Sequence, residues 1–309
     1  MQITVIGAGN IGSIHGANLA RIGAQVTLVD VLEEHVDSIN EHGLRMDGVD
    51  GEYTVHLPAT TDPAAVPPSD VAFICVLGYQ TREAAQTAKA VLKDDGFAIT
   101  LQNGLGNLEV LLEVLGHGRV VGGLAYHSAD TRGPGQVSHT KKGVTYLGEL
   151  DRTRTPRVEA LAELLEQAGM QPQISDDILT TIWNKFVLNC AVNALCAVTN
   201  LRPWNIQEVP ELDQFQTGII TEVLALAKAS GIRLPDPDPL ATIKAHSARG
   251  SNRPSMMQQI ARGQPTEIDT LNGHVVRESE RLGLRAPCND ALTRLVKGRQ
   301  HAPQRQSPE

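Results

Sequence analysis

Within its first thirty residues the chain passes from a short apolar stretch, Ile3–Ile6, through Gly7-Ala8-Gly9-Asn10-Ile11-Gly12 and a helix-like segment to a second apolar stretch that closes on Asp30. That succession is the order of a dinucleotide-binding βαβ unit. Gly7 allows the tight turn, Gly9 lets the backbone approach a pyrophosphate, and Gly12 lets the helix pack close to the strand. Asn10 and Ile11 then open a helix whose first N–H groups face the phosphates. A lone G-x-G-x-x-G is weak evidence. Here it follows a strand, opens a helix and is answered 18 residues after Gly12 by an acid ending the next strand.

The acid also selects the cofactor. A carboxylate at this position accepts hydrogen bonds from both ribose hydroxyls, whereas a 2′-phosphate would meet its charge and be repelled. Glu33 and Glu34 add two more negative charges nearby. NAD is therefore expected over NADP.

Downstream of Asp30 the pattern continues as strand and helix. A helix is expected over about 33–42 and a hairpin or irregular strand pair over 44–57. Near-continuous apolar runs at 70–76 and 97–101 suit parallel strands covered on both faces, with a helix between them at 81–92. Further strands at 119–124 and 144–147 and a helix at 156–168 complete an open α/β sheet. After a short extended piece near 171–174 the strand-like runs cease. Helical patterns dominate instead, at 178–199, 212–229, 239–246, 256–261, 267–282 and 290–298. The expected fold is thus α/β: an N-terminal Rossmann-type doubly wound parallel sheet, residues 1–174, and an all-helical domain, residues 175–298. Residues 299–309, polar with two prolines, read as a disordered tail.

With 309 residues there is room for two domains of ordinary size. The four cysteines, Cys75, Cys190, Cys196 and Cys288, form no CxxC pair and no zinc spacing, so they read as thiols in a reducing compartment and no metal is expected. No leader pattern precedes the first strand and no uninterrupted apolar run approaches membrane-spanning length, so a cytoplasmic location without membrane contact is expected. A net charge of −8 argues against nucleic-acid partners. Lys141-Lys142 reads as a solvated turn.

The second informative segment is Ile182–Leu195. From Phe186 to Val198 it is apolar except for Asn189 and Asn193. At 3.6 residues per turn, Lys185, Asn189 and Asn193 fall on one face of a mostly buried helix, a stripe about 12 Å long. An unpartnered buried amide costs about 1–3 kcal/mol and an unpartnered ammonium costs more, so the stripe needs partners or a cleft. From the helix alone, two readings stand: a lysine reaching solvent above two structural asparagines, or a binding stripe lining a cleft between the domains.

Pro265–Gly273 reads as the start of a later helix, with Thr266 as cap and Glu267 in its first turn, either matching the helix dipole or pairing with Lys185. Ser255, after Arg253-Pro254, stands at another helix start, where a hydroxyl and N–H groups suit either a cap or a carboxylate ligand. Asn103 follows a strand's carboxyl end, where ligands bind in such sheets. His15 and His127 read as core or cofactor-neighbouring histidines, and Cys190, about 100° round the helix from Asn189, as core.

Together, GAGNIG at the start, QNGLGN after a buried strand, the IWNKFVLNCAVNAL helix, RPSMMQQI and PTEIDTLNG resemble the ketopantoate reductase (2-dehydropantoate 2-reductase) family, in order, over residues 1 to about 297. The resemblance implies Lys185 as general acid toward a substrate carbonyl and Glu267 as the residue that orients it. It further implies Asn189 and Asn193 on the substrate's hydroxyl end, Ser255 on its carboxylate, and Asn103 bridging cofactor and substrate. The residues agree chemically: reducing a 2-keto acid at C2 builds negative charge on oxygen, which an ammonium stabilises and quenches. Two departures stand out. The family commonly uses NADPH with a basic residue where this chain has Asp30, and many members place a lysine where it has Leu77. Arg253 is a candidate to replace that charge toward the substrate, or else a surface arginine.

The expectation is an NAD-preferring oxidoreductase acting on a small 2-keto or 2-hydroxy acid, with helical surfaces suited to a homodimer. Two other readings are a dehydrogenase of another 2-hydroxy or sugar acid in catabolism, and a non-catalytic NAD-sensing protein. The latter predicts loss of the Lys185, Asn189, Asn193, Ser255 and Glu267 set, which is complete.

Overall fold

The computed structural model describes residues 1–301. Its chain divides into two compact units: Met1–Gln102 with Asn107–Thr181, and Asn103–Gly106 with the chain from Ile182 onward.

In the first unit, β1 (Gln2–Ile6), α1 (Asn10–Arg21), β2 (Gln25–Val29) and α2 (Glu33–His42) form the expected βαβ start. They are followed by β3 (Leu44–Gly48), β4 (Tyr53–Val55), β5 (Ala59–Thr60), β6 (Ser69–Ile74), α3 (Thr81–Val91), β7 (Leu92–Thr100), α4 (Asn107–Leu115) and β8 (Val120–Ala125). Then come β9 (Ser128–Gly133), β10 (Gln136–Lys141), β11 (Thr145–Gly148), α5 (Pro156–Gln167) and β12 (Pro172–Ile174). The main sheet has the order β12-β11-β8-β7-β6-β1-β2-β5. Its central strands pair in parallel, with Ile3 beside Val71 and Phe73 beside Ile99, and these side chains are wholly buried. Such strands must be apolar on both faces because helices cover both. The strand order turns back at β1 and β6, so the loops after those two strands flank the crevice where ligands bind in such sheets.

Two features differ from the sequence reading. The sheet is mixed, because β11 runs antiparallel to β8. A second sheet, β4-β3-β10-β9, packs over α1. The 44–57 hairpin supplies half of it, and β9 and β10 were not anticipated. Their inward positions carry Ala129, Val137, Ser138 and His139 rather than a run of large β-branched residues, which hides them from pattern reading.

The second unit is helical: α6 (Ile178–Thr199, of which residues from Ile182 belong here), α7 (Pro203–Ile206), α8 (Pro210–Ala229), α9 (Pro239–Arg249), α10 (Ser255–Ala261), α11 (Asn272–Arg281) and α12 (Pro287–His301). Helix α6 is long and apolar enough to cross a membrane by composition, yet 61% of its most apolar window is buried within the protein. Phe186, Cys190 and Ala194 are its core side, packed with Ile219, Val223, Val275 and Leu292.

Helix α11 begins five residues later than Glu267. The preceding segment is a compact turn in which the Glu267 carbonyl accepts N–H bonds from Thr270 and Leu271, both at 3.1 Å. Leu271, at φ −105° and ψ −110°, departs from helical geometry and separates turn from helix. Thr266 accordingly caps no helix; its hydroxyl accepts from Ile268 N at 3.3 Å within the turn. At the other end α12 runs to His301, so Arg299–His301, expected in the disordered tail, are helical. Arg299 is held there by the carbonyls of Ala197 and Val198 at the end of α6, at 2.7 and 2.9 Å, a cation at a helix C-terminus. The rest of the expected tail, 302–309, lies outside the described residues.

Candidate active site

The glycine loop is shaped for an anion. Gly7 has φ +94°, and a Cβ there would lie 2.8–2.9 Å from Val76 and the Cys75 backbone. A Cβ on Gly12 would lie 1.8 Å from the Gly7 carbonyl oxygen, so the helix start and the turn touch through backbone alone. At Gly9 a Cβ would meet nothing within 4 Å. Gly9 is thus the exposed N-cap of α1 with open space beside its backbone, the place at which a helix N-terminus receives a phosphate.

Asp30 sits beneath the loop. Its carboxylate accepts from Ala8 N at 2.6 Å and Leu32 N at 3.0 Å. The Ala8 carbonyl is held by His35 Nε2 on α2 at 2.9 Å. Asn10 uses its side chain elsewhere: it donates to the Ala129 carbonyl at 2.9 Å and accepts from the Thr131 hydroxyl at 2.8 Å, both on β9. The side chain therefore ties the second sheet to the first turn of α1, and Asn10 and Ile11 face the open space beside Gly9 through backbone. His35 and β9 are supports that the sequence reading missed. A histidine four residues after a turn carries no pattern of its own.

In the helical unit, Lys185, Asn189 and Asn193 share one face of α6, with Asn193 buried and the other two half-buried. Glu267, only 5% exposed, is brought to Lys185. Burial draws the Lys185 ammonium down to about 8, with the Glu267 charge acting in the opposite direction. Asn103 Nδ2 donates to Glu267 Oε2 at 3.2 Å. The loop carrying Asn103 is itself docked: Leu105 N donates to the Thr270 carbonyl at 3.1 Å. Gly104, at φ +84°, approaches Thr270 so closely that a Cβ would lie 2.5 Å from that carbonyl. The Asn-Gly pair in the sequence reflects this contact.

Ser255, the first residue of α10, and Arg253 are both exposed. The structure thus draws Lys185, Glu267 and Asn103 into one cluster, continues its face with Asn189 and Asn193, and leaves Ser255 and Arg253 at the surface of a loop and short helix. Leu77 follows β6, partly buried. His15 and His127 are buried in the first unit.

Comparison with known proteins matches residues 3–152 to the model of the ketopantoate reductase PanE/ApbA family and residues 177–300 to that of its C-terminal domain. The chain belongs to the ketopantoate reductase family. The 2-dehydropantoate 2-reductase of Pyrococcus horikoshii is 32% identical over 302 residues, covering 97% of this chain and 98% of that protein. Among solved structures, a PanE/ApbA family ketopantoate reductase from Ralstonia eutropha superposes with a TM-score of 0.90 at 32% identity, covering 97% of this chain and 98% of the other. A D-mandelate dehydrogenase solved with NADH and anilino(oxo)acetate has a TM-score of 0.91 at 27% identity, with 97% and 98% coverage. Family membership makes the chain an oxidoreductase with a nicotinamide cofactor, which the Gly7–Gly12 loop fits.

Proposed function

We propose that the chain reduces 2-dehydropantoate to pantoate, with NADH preferred over NADPH, in the cytoplasm. The carrying observation is the Lys185–Glu267–Asn103 cluster, a half-buried ammonium brought near neutrality beside a buried carboxylate. Gly7, Gly9, Asn10, Ile11 and Gly12 hold the dinucleotide, with Asp30 on its ribose. When bound, the nicotinamide supplies the hydride that reaches C2 of the substrate.

Lys185 is the general acid. Its Nζ donates a proton to the carbonyl oxygen as negative charge develops there, so the 2-oxo acid gains one hydride and one proton to become the 2-hydroxy acid. Glu267 keeps Lys185 charged against the pull of burial, and Asn103 fixes Glu267. Asn189 and Asn193 bind the hydroxyl end of the substrate; Ser255 receives its carboxylate, with Arg253 adding charge at that end. The NAD preference is supported by Asp30, whose carboxylate repels a 2′-phosphate, and by the NADH-bound D-mandelate dehydrogenase of like fold.

The test is steady-state reduction of ketopantoate with NADH and NADPH by the protein, its Lys185→Ala variant and its Asp30→Ser variant. Turnover with NADH should exceed that with NADPH, fall about 10²–10⁴-fold in Lys185→Ala, and lose its cofactor bias in Asp30→Ser. Undiminished turnover in Lys185→Ala refutes the acid assignment, and an unchanged NADH/NADPH ratio in Asp30→Ser refutes the cofactor assignment.

A further inference from the structure

Three buried histidines of the first unit take no part in this chemistry: His15 on α1, His127 just before β9 and His139 on β10. They form one string. His15 Nδ1 lies 2.9 Å from the Ile11 carbonyl and its Nε2 lies 3.2 Å from the Thr145 hydroxyl. The same hydroxyl lies 3.1 Å from His127 Nε2, and His127 Nδ1 lies 3.1 Å from His139 Nε2. His139 Nδ1 then faces Asp50 Oδ2 at 3.5 Å, on the turn between β3 and β4.

This string has five links. Three neutral imidazoles and one hydroxyl bring only four protons. Its direction is set at one end, because the Ile11 carbonyl can only accept, so His15 carries its proton on Nδ1. His15 Nε2 then accepts from Thr145, whose oxygen accepts from His127 Nε2–H. His127 Nδ1 is left as acceptor, in agreement with Gly143 N, which donates to it at 3.3 Å. His139 therefore donates from Nε2 and turns a bare Nδ1 toward a carboxylate. The missing proton falls on the longest of the five links, and both atoms of that link are buried without a hydrogen-bond partner. The reverse assignment sets a lone pair against the Ile11 carbonyl and an N–H against Gly143 N–H.

We propose that the string is a proton-uptake site of the cofactor-binding unit: acid places one proton on His139 Nδ1, closes the link to Asp50 and clamps the β3–β4 turn to β10. The charged and titratable groups around it are consistent with a single uptake there. Lys142 donates to the other Asp50 oxygen at 2.8 Å, leaving Oδ2 to His139. Tyr53 on β4 lies toward Asp50 and has the Arg21 guanidinium 4.0 Å above its ring, and β9 sets Ala129 opposite His139. Burial pushes the His139 imidazolium below its ordinary 6.5, while Asp50 and the Lys141 backbone favour it. Burial holds His15 near 4, so His15 stays neutral as His139 takes its proton.

The clamped sheet is the one that grips Asn10 in the first turn of α1. Proton uptake and dinucleotide binding are thereby linked, each favouring the other by the same factor. This coupling rests on the dinucleotide reading of the glycine loop; the protonation pattern does not.

Ring ¹⁵N–¹H correlation spectra of the full-length, histidine-labelled protein between pH 8 and pH 5 test the pattern without any variant. At pH 8, His15 is expected as the Nδ1–H tautomer and His127 and His139 as Nε2–H; toward pH 5 His139 gains a second proton while His15 does not. A His139 proton on Nδ1 at pH 8, or no second proton by pH 5, overturns the proposal. In Asp50→Asn the amide N–H fills the fifth link, so His139 should stay singly protonated throughout. NADH titrations complete the test. Affinity should tighten by about five-fold on acidification, roughly one hydrogen bond's worth, and lose that dependence in Asp50→Asn. Equal pH dependence in both proteins overturns the coupling while leaving the cofactor assignment intact.

Discussion

Replacing Lys185 with methionine separates what the ammonium does for chemistry from what it costs the fold. Burial brings the group from 10.5 to about 8, so at pH 7 it is charged in both the folded and the unfolded chain. At about 1.36 kcal/mol per pK unit, the interval corresponds to a folded-state penalty of about 3 kcal/mol. Lys185 is half-buried, and residual solvent screening trims this to about 2–3 kcal/mol. Because the folded value lies below the unfolded one, the penalty is complete below about pH 8 and is released as pH rises toward 10.5. Methionine has similar length and no charge to desolvate. It also leaves Glu267 without its facing cation, although Asn103 still donates to that carboxylate. The net expectation at pH 7 is a variant more stable by about 1–2 kcal/mol, with ketopantoate reduction lowered about 10²–10⁴-fold. Urea unfolding followed by tryptophan fluorescence reads the right part of the molecule, since Trp183 and Trp204, the only two tryptophans, both lie in the helical unit. The stability gap between variant and wild type should shrink between pH 7 and pH 10. A methionine variant less stable at pH 7, or a gap that ignores pH, would refute the reasoning.

Glu267→Gln keeps an acceptor for Asn103 and removes the charge that supports the Lys185 ammonium. The falling limb of kcat/KM for reduction, expected near pH 8 in wild type, should therefore move to lower pH, and superimposable profiles would exclude the pairing. Two glycine variants divide function from packing. Gly9→Ala should melt as wild type does, since its Cβ meets nothing within 4 Å, yet bind dinucleotide at least about ten-fold more weakly by fluorescence titration. Gly12→Ala sets a Cβ 1.8 Å from the Gly7 oxygen and should lower stability by about 1–3 kcal/mol or more in the same melts.

The parts of the molecule legible in the sequence are those in which one residue pattern has one physical solution. The glycine loop is such a case, because Gly7 takes a positive φ and Gly12 touches backbone. Helix α6 is another: an apolar run interrupted only at four-residue spacing specifies both a buried helix and its polar stripe. The other half of the second sheet was illegible because the buried positions of β9 and β10 are Ala129, Val137, Ser138 and His139, which show no alternation of large apolar residues. The Asp50–His139 contact joins residues far apart in the chain whose neighbours show no motif. Glu267 was read onto a helix but lies in a turn beside Lys185, since the Pro265–Leu271 turn and a helix start share proline, threonine and acid at the same positions. Ser255 and Arg253, read from the same kind of local signal, are exposed.

The acid strength of Lys185 and the packing of α6 are a single property. Phe186, the residue next to Lys185, is one of the side chains that make this helix a core element, and burial is what lowers the ammonium. Burial pulls the group down and Glu267 holds it up, and the balance near 8 suits the proton-donor role proposed for Lys185. Opening the core should then act oppositely to removing the carboxylate. Phe186 is 1% exposed and meets Trp183 and His274 edge to face, with ring centroids 5.4 and 6.0 Å away. Phe186→Ala should admit water along the helix, return Lys185 toward 10.5, and move the falling limb of the pH profile upward while stability drops by about 3–5 kcal/mol. A limb that moves downward in Phe186→Ala, as expected for Glu267→Gln, would mean that burial is not what sets the strength of the acid.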